Sequence, residues 1–571
     1  MITPLPTLKP DAAFDVIVIG SGAAGLSAAL FAAIAGLKPL LVELTGLIGG
    51  TSALSAATTW IPNSRHAKSV PGEDSPQKAL EFLDAAVGNR APADLRRAFL
   101  ASGPQAIDAL EDHSAVHFRA YATHPDYEQQ YEGATLRGRA LEPLPFDGRE
   151  LGAALKYIRP PIPEFTIFGG MMVDRTDIGH LLNVSHSMAS VRHVTRILTH
   201  YGRDRVAGRR GTRLVMGNAL IGRLLASLLA RNVPILLDTE VTSLVAPDGA
   251  VTGIMAEQGG ISRRLGARAV VLAAGGFNRN ARRRAEMLPA PLPEFSPSAP
   301  GHTGALQDMA LKLGAHYGEG GLDNAFWAPV SVRQRPDGTT AVFPHFVLDR
   351  AKPGTICVDQ TGQRFVNESV SYHRFARAMF ASNAARPSIP CFIITDATGL
   401  RKYGLGMARI GTRDFAPFIK DGYLVEAPSL GALAAKLDMP PAALEATIAR
   451  FNGFAATGID LDFARGTTPY QTANGDAAHR PNPTLGPLTT APFYAVRLWP
   501  GDIGAATGLV TDVDARVLKA DHTPIAGLYA CGNEAQSIMG GVYPGPGITI
   551  GPAITFAYRA VQHMIAQAPS A

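Results

Sequence analysis

The opening of the chain switches between short apolar runs that suit buried strands and longer Ala- and Leu-rich runs that suit helices. Asp15-Val-Ile-Val-Ile19 is a β-branched run of the kind found in a parallel strand covered on both faces. Gly20-Ser-Gly22-Ala23-Ala24-Gly25 follows at once, and Leu26 to Leu37 predicts a helix. Leu40-Leu-Val-Glu43 predicts a second strand that ends on a carboxylate. Val16 to Leu37 carries no charge, but Gly20, Gly22 and Gly25 divide it into strand, turn and helix, so it is not read as a membrane span. Much later, Arg268 to Leu272 predicts another buried strand, running into Ala274, Gly275, Gly276 and Phe277. Gly527 to Cys531 predicts one more, running into Gly532-Asn533, and Gly551-Pro552 predicts the start of a helix through about Met564, with Pro at a favoured first position.

Strand, glycines, helix, strand and acid in that order describe a dinucleotide site. Two glycines let the backbone turn beside a pyrophosphate, the third lets helix and strand pack closely, and the helix start offers unpaired N–H groups. Glu43 stands where an acid accepts from an adenosine ribose, which argues against a 2′-phosphate. Gly49-Gly50-Thr51-Ser52, with Ser55, extends the polar surface beyond the phosphates toward an isoalloxazine ring, so FAD is favoured over NAD. The expected fold class is α/β: a Rossmann-like FAD-binding domain, discontinuous over 1–325 and 500–571, and an α+β substrate-binding cap over 326–499. The Pro-rich stretch Leu288 to Pro300 predicts a surface connection, and His479 to Pro492 a return loop.

Composition narrows the function classes. The 571 residues are 46% hydrophobic and 18% charged, with 59 Gly and 43 Pro, as in an ordered, loop-rich enzyme of more than one domain. A net charge of +5 with no nucleic-acid motif gives no reason to expect nucleic acid. Cys357, Cys391 and Cys531 are far apart, and His113 and His117 have no third ligand nearby, so neither disulfides nor a metal is expected. Met1 to Asp15 lacks the pattern of a secretory signal, and a cytoplasmic location is the expectation. A basic insertion is expected over 157–214. Within 180–213 it carries Arg192, Arg196, Arg203, Arg205, Arg209, Arg210 and Arg213 against the single acid Asp204, interleaved with apolar residues. Such a stretch suits either peripheral contact with a membrane or a solvated helix or oligomer contact.

Several motifs remain: Arg364-Phe-Val-Asn-Glu368 followed by Tyr372, Pro500-Gly-Asp-Ile-Gly504, and Tyr543-Pro-Gly-Pro-Gly547. With Val18-Ile-Gly-Ser-Gly-Ala-Ala-Gly25 and Gly49-Gly-Thr-Ser52, they make the chain resemble the succinate dehydrogenase and fumarate reductase flavoprotein superfamily, and within it the 3-ketosteroid Δ1-dehydrogenase family. The resemblance implies non-covalent FAD, with further contacts at Val241, Ile548 and Ile550, a 3-ketosteroid substrate, and a quinone or other electron acceptor. It implies that Tyr543 and the Gly547 N–H hold the C3 carbonyl, that Tyr372 removes a proton from C2, and that hydride leaves C1 for flavin N5. Tyr127 matches the auxiliary tyrosine, with Tyr121 and Tyr131 as near alternatives. These residue types suit the chemistry: a donor aimed at a developing enolate is typically worth roughly 100- to 1,000-fold in rate. A tyrosine, titrating near about 10, serves as a base near neutral pH only if neighbours favour its phenolate, and Tyr127 is the expected support. Where relatives usually carry glycines after Ser55, this chain has Ala56-Ala57-Thr58, so altered packing at the flavin is expected without its loss.

Three other readings compete. They are Δ4-desaturation of a 3-ketosteroid, a fumarate-reductase-like alkene reductase with Arg364 and Arg374 clamping a carboxylate, and a flavin-bearing lipid-binding or electron-carrier protein without desaturation.

Overall fold

In the computed structural model, which describes residues 2–9, 12–208 and 210–567, the first strand spans Ala13–Ile19, the first helix Ala23–Ile34 and the second strand Pro39–Val42. The helix begins before its apolar run because Gly22 caps it in extended geometry. Gly25 then lies against the strand: a Cβ there would stand 1.8 Å from the Gly20 carbonyl oxygen, a separation no side chain permits.

These elements build one side of an eight-stranded sheet. Ala13–Ile19 lies between Pro39–Val42 and Ile261–Leu272, parallel to both, and Pro524–Ala530 adds to the far side of Ile261–Leu272, again parallel. Its pairing draws the end of the chain back onto the beginning. Ile261–Leu272 also carries the antiparallel meander Glu240–Val245 and Gly253–Gln258. The central strands are buried on both faces, which explains their unbroken apolar runs. The last helix, Ile550–Ala566, starts just before Gly551, so Pro552 falls within the first turn, where its missing N–H costs nothing.

A second, six-stranded antiparallel sheet is built around Ala325–Gln334 and Phe493–Ala505. Phe493–Ala505 runs unbroken toward the first sheet, where Ala505 packs against Gly276. Mixed helix and strand with a parallel nucleotide sheet is the fold class that the periodicity implied.

The basic stretch forms two helices, Arg175–Leu182 and Met188–Val206. Buried Asp177 holds them together, accepting from His193 Nε2 at 2.7 Å and Arg213 Nη1 at 2.8 Å. A small core of Met171, Val173, Ile197 and Tyr201 lies beneath. Arg210 turns inward to the Ile158 carbonyl and Asn218, whereas Arg192, Arg196, Arg203 and Arg205 are exposed. Arg209 lies outside the described residues. Among the described residues no helix is long and apolar enough to cross a membrane.

The Leu288 to Pro300 stretch is a surface connection only in part: Pro289, Ala290, Pro291 and Glu294 are exposed, but its second half turns inward. Ser296, Ser298 and Ala299 are buried, the Ser296 hydroxyl donates to the Asp502 carbonyl at 2.8 Å, and Arg284 ion-pairs with the Asp502 side chain. Pro signalled a loop correctly, but side-chain anchoring pulls this loop inward.

Candidate active site

Register places Ile19 beside Val42 and Leu272, and Leu272 beside Ala530, so four parallel strands end at one level. Past those ends the backbone turns at Gly20, Gly275 and Gly532, each with positive φ (108°, 92° and 67°), where a side chain would be strained. A cavity of about 690 Å³ opens there, at the carboxyl edge where parallel sheets bind ligands.

Most residues expected at the cofactor line this cavity: Gly20, Gly22, Ala23, Ala24, Glu43, Gly50, Thr51, Ser52, Ser55, Val241, Ala274, Gly275, Gly532, Asn533 and Ile550. Gly25, Gly49, Gly276 and Ile548 do not, and three of these shape the wall from behind. Gly25 permits the close packing of helix and strand, Gly49 donates its N–H to Ser21 Oγ at 3.1 Å, and Gly276 donates to Glu534 Oε2 at 3.0 Å. Ile548 sits beneath the wall, fully buried. Ser52 Oγ accepts from the Ala23 N–H at 3.1 Å, locking the second glycine cluster to the helix start. Ala57 lines the cavity at φ 51°, a left-handed conformation that costs a non-glycine residue roughly 1–2 kcal/mol.

Glu43 reaches the wall already engaged. Oε2 accepts from the Ser21 N–H and hydroxyl (3.0 and 2.6 Å), and Oε1 from the Thr45 N–H and hydroxyl (2.9 and 2.8 Å). A ribose hydroxyl would take the place of one of these side-chain donors.

FAD fits the residues present. Glu534 Oε1 and His302 Nδ1 are buried without a hydrogen-bond partner, and both residues lie on the cavity wall. The polyol and phosphates of a flavin dinucleotide supply the partners such atoms need. Burial pushes the Glu534 carboxyl up to about 7 and, with Arg279 and Arg159, the His302 imidazole down to about 4. Sequence reasoning missed both residues. Glu534 directly follows the Gly532-Asn533 pair, and His302 stands between glycines in Pro300-Gly-His-Thr-Gly304, which were the available signals.

On the same cavity the structure brings together Tyr127, Tyr372, Tyr543 and Gly547. The Tyr127 and Tyr543 rings stack with centroids 5.8 Å apart and 14° between planes, and Tyr372 meets each edge-on at 5.5 and 5.2 Å. Tyr127 Oη lies 3.4 Å from Tyr372 Oη. Tyr121 instead contacts Thr58 Oγ1 and Tyr131 lies outside the cavity wall, so Tyr127 alone of the three joins the cluster.

Local structure holds Tyr127, Tyr372 and the Gly547 backbone. Tyr127 follows buried Asp126, which accepts from Trp60 Nε1 at 2.8 Å and ion-pairs with Arg139 at 2.9 Å, while the Tyr127 N–H donates to the Pro544 carbonyl at 2.7 Å. Tyr372 is the first residue of the helix Tyr372–Asn383, capped by the Ser371 hydroxyl. Arg350 donates to the Val370 carbonyl just upstream. Gly547 has φ 89°, and a Cβ there would lie 2.2 Å from the Thr58 carbonyl oxygen.

Burial, followed by the neighbouring phenols, pushes Tyr372 well above 10. The expectation that its neighbours would favour the phenolate is therefore corrected. Neutral rings surround it, and no cation offsets the burial.

The two arginines weighed for a carboxylate clamp are committed elsewhere. Arg364 is buried between Glu368 and Asp460, both at 2.8 Å, and Arg374 is exposed and pairs with Glu128. Neither lines the cavity. Tyr470, His124 and Arg175 do line it and had no motif to announce them. The Tyr470 hydroxyl is buried without a partner, and burial lowers His124 to about 3. His113 and His117 are exposed, and among the described residues no group of three or more His, Cys, Asp or Glu could hold a metal.

Residues 15–550 match the family model described as FAD binding domain. The chain is 37% identical to a 4-oxocyclohex-2-ene-1-carboxylate 5-dehydrogenase of Sinomonas cyclohexanicum, covering 96% of this chain and 93% of that one. It is 35% identical to a 3-oxosteroid 1-dehydrogenase of Mycolicibacterium smegmatis, covering 97% and 98%. Its structure resembles that of a 3-ketosteroid Δ1-dehydrogenase from Sterolibacterium denitrificans in complex with 1,4-androstadiene-3,17-dione, with a TM-score of 0.91, 34% identity, and coverage of 97% and 100%.

Proposed function

The chain belongs to the FAD-binding flavoprotein family that includes the 3-ketosteroid Δ1-dehydrogenases, and from that membership we propose that it introduces a C1–C2 double bond into ring A of a 3-ketosteroid. The observation that carries this reading is the meeting of Tyr127, Tyr372, Tyr543 and Gly547 on one cavity with the glycine turns of the cofactor strands. Bound FAD supplies the hydride acceptor. The chain itself supplies proton handling and placement. The Tyr543 hydroxyl and the Gly547 N–H hold the ketone oxygen, stabilising the enolate that forms as C2 loses its proton. Tyr372 takes that proton as its phenolate, after first giving up its own hydroxyl proton to solvent, and the Tyr127 hydroxyl donates to the oxygen that receives it. Phe326 and Phe346, packed on Tyr543 and Tyr372 at 5.2 and 5.0 Å, keep water from the rings.

Anaerobic addition of androst-4-ene-3,17-dione should bleach the flavin and yield the 1,4-diene. An unbleached flavin would reject the reading, and a product desaturated elsewhere would reject the Δ1 assignment.

We also infer that the Arg175–Val206 excursion rests on a membrane surface, from which apolar substrate and a quinone or similar acceptor would be drawn. Phe168, Met188 and Val206 are 67%, 80% and 92% exposed, beside exposed Arg192, Arg196, Arg203 and Arg205. Large apolar side chains flanked by cations are the chemistry of an interfacial helix. Deleting Ser187 to Arg210 should shift the protein from the membrane to the supernatant fraction; unchanged recovery would remove the idea.

A further inference from the structure

Arg175 is the cation on the substrate side of the cavity that the proposed dehydrogenation leaves without a task. It opens the helix Arg175–Leu182, is exposed, and lines the cavity with Tyr127, Tyr470, His124 and Asn474. Its guanidinium contacts the Thr123 carbonyl at 3.5 Å and lies 5.8 Å from the Tyr121 ring centroid. Nearby acids are otherwise employed: Asp174 caps the helix and Glu142 pairs with Arg119 at 2.7 Å. Among the described residues no carboxylate is ion-paired with Arg175. A fork of N–H donors at the edge of the cavity, beside the rings of Tyr127 and Tyr470, matches a carboxylate on the ligand. The Tyr470 hydroxyl, buried and unpartnered, is a second donor in the same wall. One relative carries such a group in the name of its substrate, a 4-oxocyclohexene carboxylate.

We propose that Arg175 binds a carboxylate carried by the substrate away from its ketone, so that the cavity prefers cyclic ketone acids over neutral cyclic ketones. The inference rests on the ketone dehydrogenation proposed above and adds the ligand's second anchor. The acid could be a one-ring 4-oxocyclohexane carboxylate or a 3-ketosteroid whose side chain ends in a carboxylate. The chemistry at Arg175 is the same for both.

The test uses FAD-loaded wild type, Arg175→Gln and Arg175→Lys, with kcat/KM measured on two pairs. One pair is 4-oxocyclohexanecarboxylate and its methyl ester, and the other is 3-oxo-4-pregnene-20-carboxylic acid and its methyl ester. For at least one pair the wild type should favour the acid, and Arg175→Gln should lower the acid-to-ester ratio about tenfold or more, chiefly through KM, with partial recovery in Arg175→Lys. The responding pair identifies the size of the ligand. Turnover of esters and acids at a ratio that Arg175→Gln leaves unchanged in both pairs overturns the role of Arg175 while leaving the dehydrogenase reading intact. A wild type that oxidises none of the four ketones, nor androst-4-ene-3,17-dione, overturns both.

Discussion

The two walls of the cavity are made of different material. The cofactor side is shaped by backbone: Gly20, Gly275 and Gly532 form its turns, with Glu43, His302 and Glu534 reaching in between them. The reaction side is side chains: three stacked and edge-on phenols, of which Tyr127 and Tyr372 are held by their own local structure. A backbone wall tolerates no added atoms, whereas a phenol wall tolerates the loss of one oxygen and registers it in the chemistry.

The largest break in that contrast should come from Gly25→Val. With a Cβ 1.8 Å from the Gly20 carbonyl oxygen, the first helix cannot seat, and the purified variant should lack flavin absorbance near 450 nm. Tyr372→Phe should do the opposite, keeping a yellow, folded protein while turnover falls by on the order of a thousandfold, within the range lost with a general base. Wild-type-like steady-state rates would reject its role. Tyr127→Phe should cost less, about tenfold in kcat, because it removes a supporting hydroxyl 3.4 Å from Tyr372 and leaves the proton acceptor in place.

The smallest effect is one of pH. Burial raises Tyr372 well above 10, so the folded chain holds that proton more tightly than the unfolded one. Its stabilising contribution is complete below the unfolded value of about 10 and is lost as pH rises through the folded value. Over the same direction the phenolate becomes easier to form, so the rate of flavin reduction should climb steadily from about pH 7 to 10 by stopped-flow absorbance. Tyr372→Phe should flatten the residual profile, and a flat wild-type profile would show that this proton transfer does not limit the rate.

The same contrast explains what could be read before the structure. Backbone turns demand glycine at fixed spacing after a β-branched run, so Gly20, Gly22, Gly275 and Gly532 announce themselves locally. Tyr372 and Tyr543 were legible because they stand beside motifs, Arg-Phe-Val-Asn-Glu and Pro-Gly-Pro-Gly. Arg175 and Tyr470 were not, because nothing in their neighbourhoods marks them and only the folding of distant segments brings them to Tyr127. The second half of the Pro-rich stretch before His302 misled for a related reason: proline forecasts the absence of regular structure, not exposure. The Tyr372 environment could not be inferred either, since a raised pKa depends on which neutral rings surround it.

The pairing of Pro524–Ala530 with Ile261–Leu272 has a consequence in time. A ribosome releases Tyr127 long before Tyr543, and the strand Pro524–Ala530 emerges long after the strand it pairs with. A nascent chain therefore holds neither a complete flavin cradle nor a complete set of phenols. Cofactor loading and reactivity should arrive together, once both Pro524–Ala530 and Tyr543 have emerged, and a chain truncated before Gly527 should emerge from translation colourless and inert.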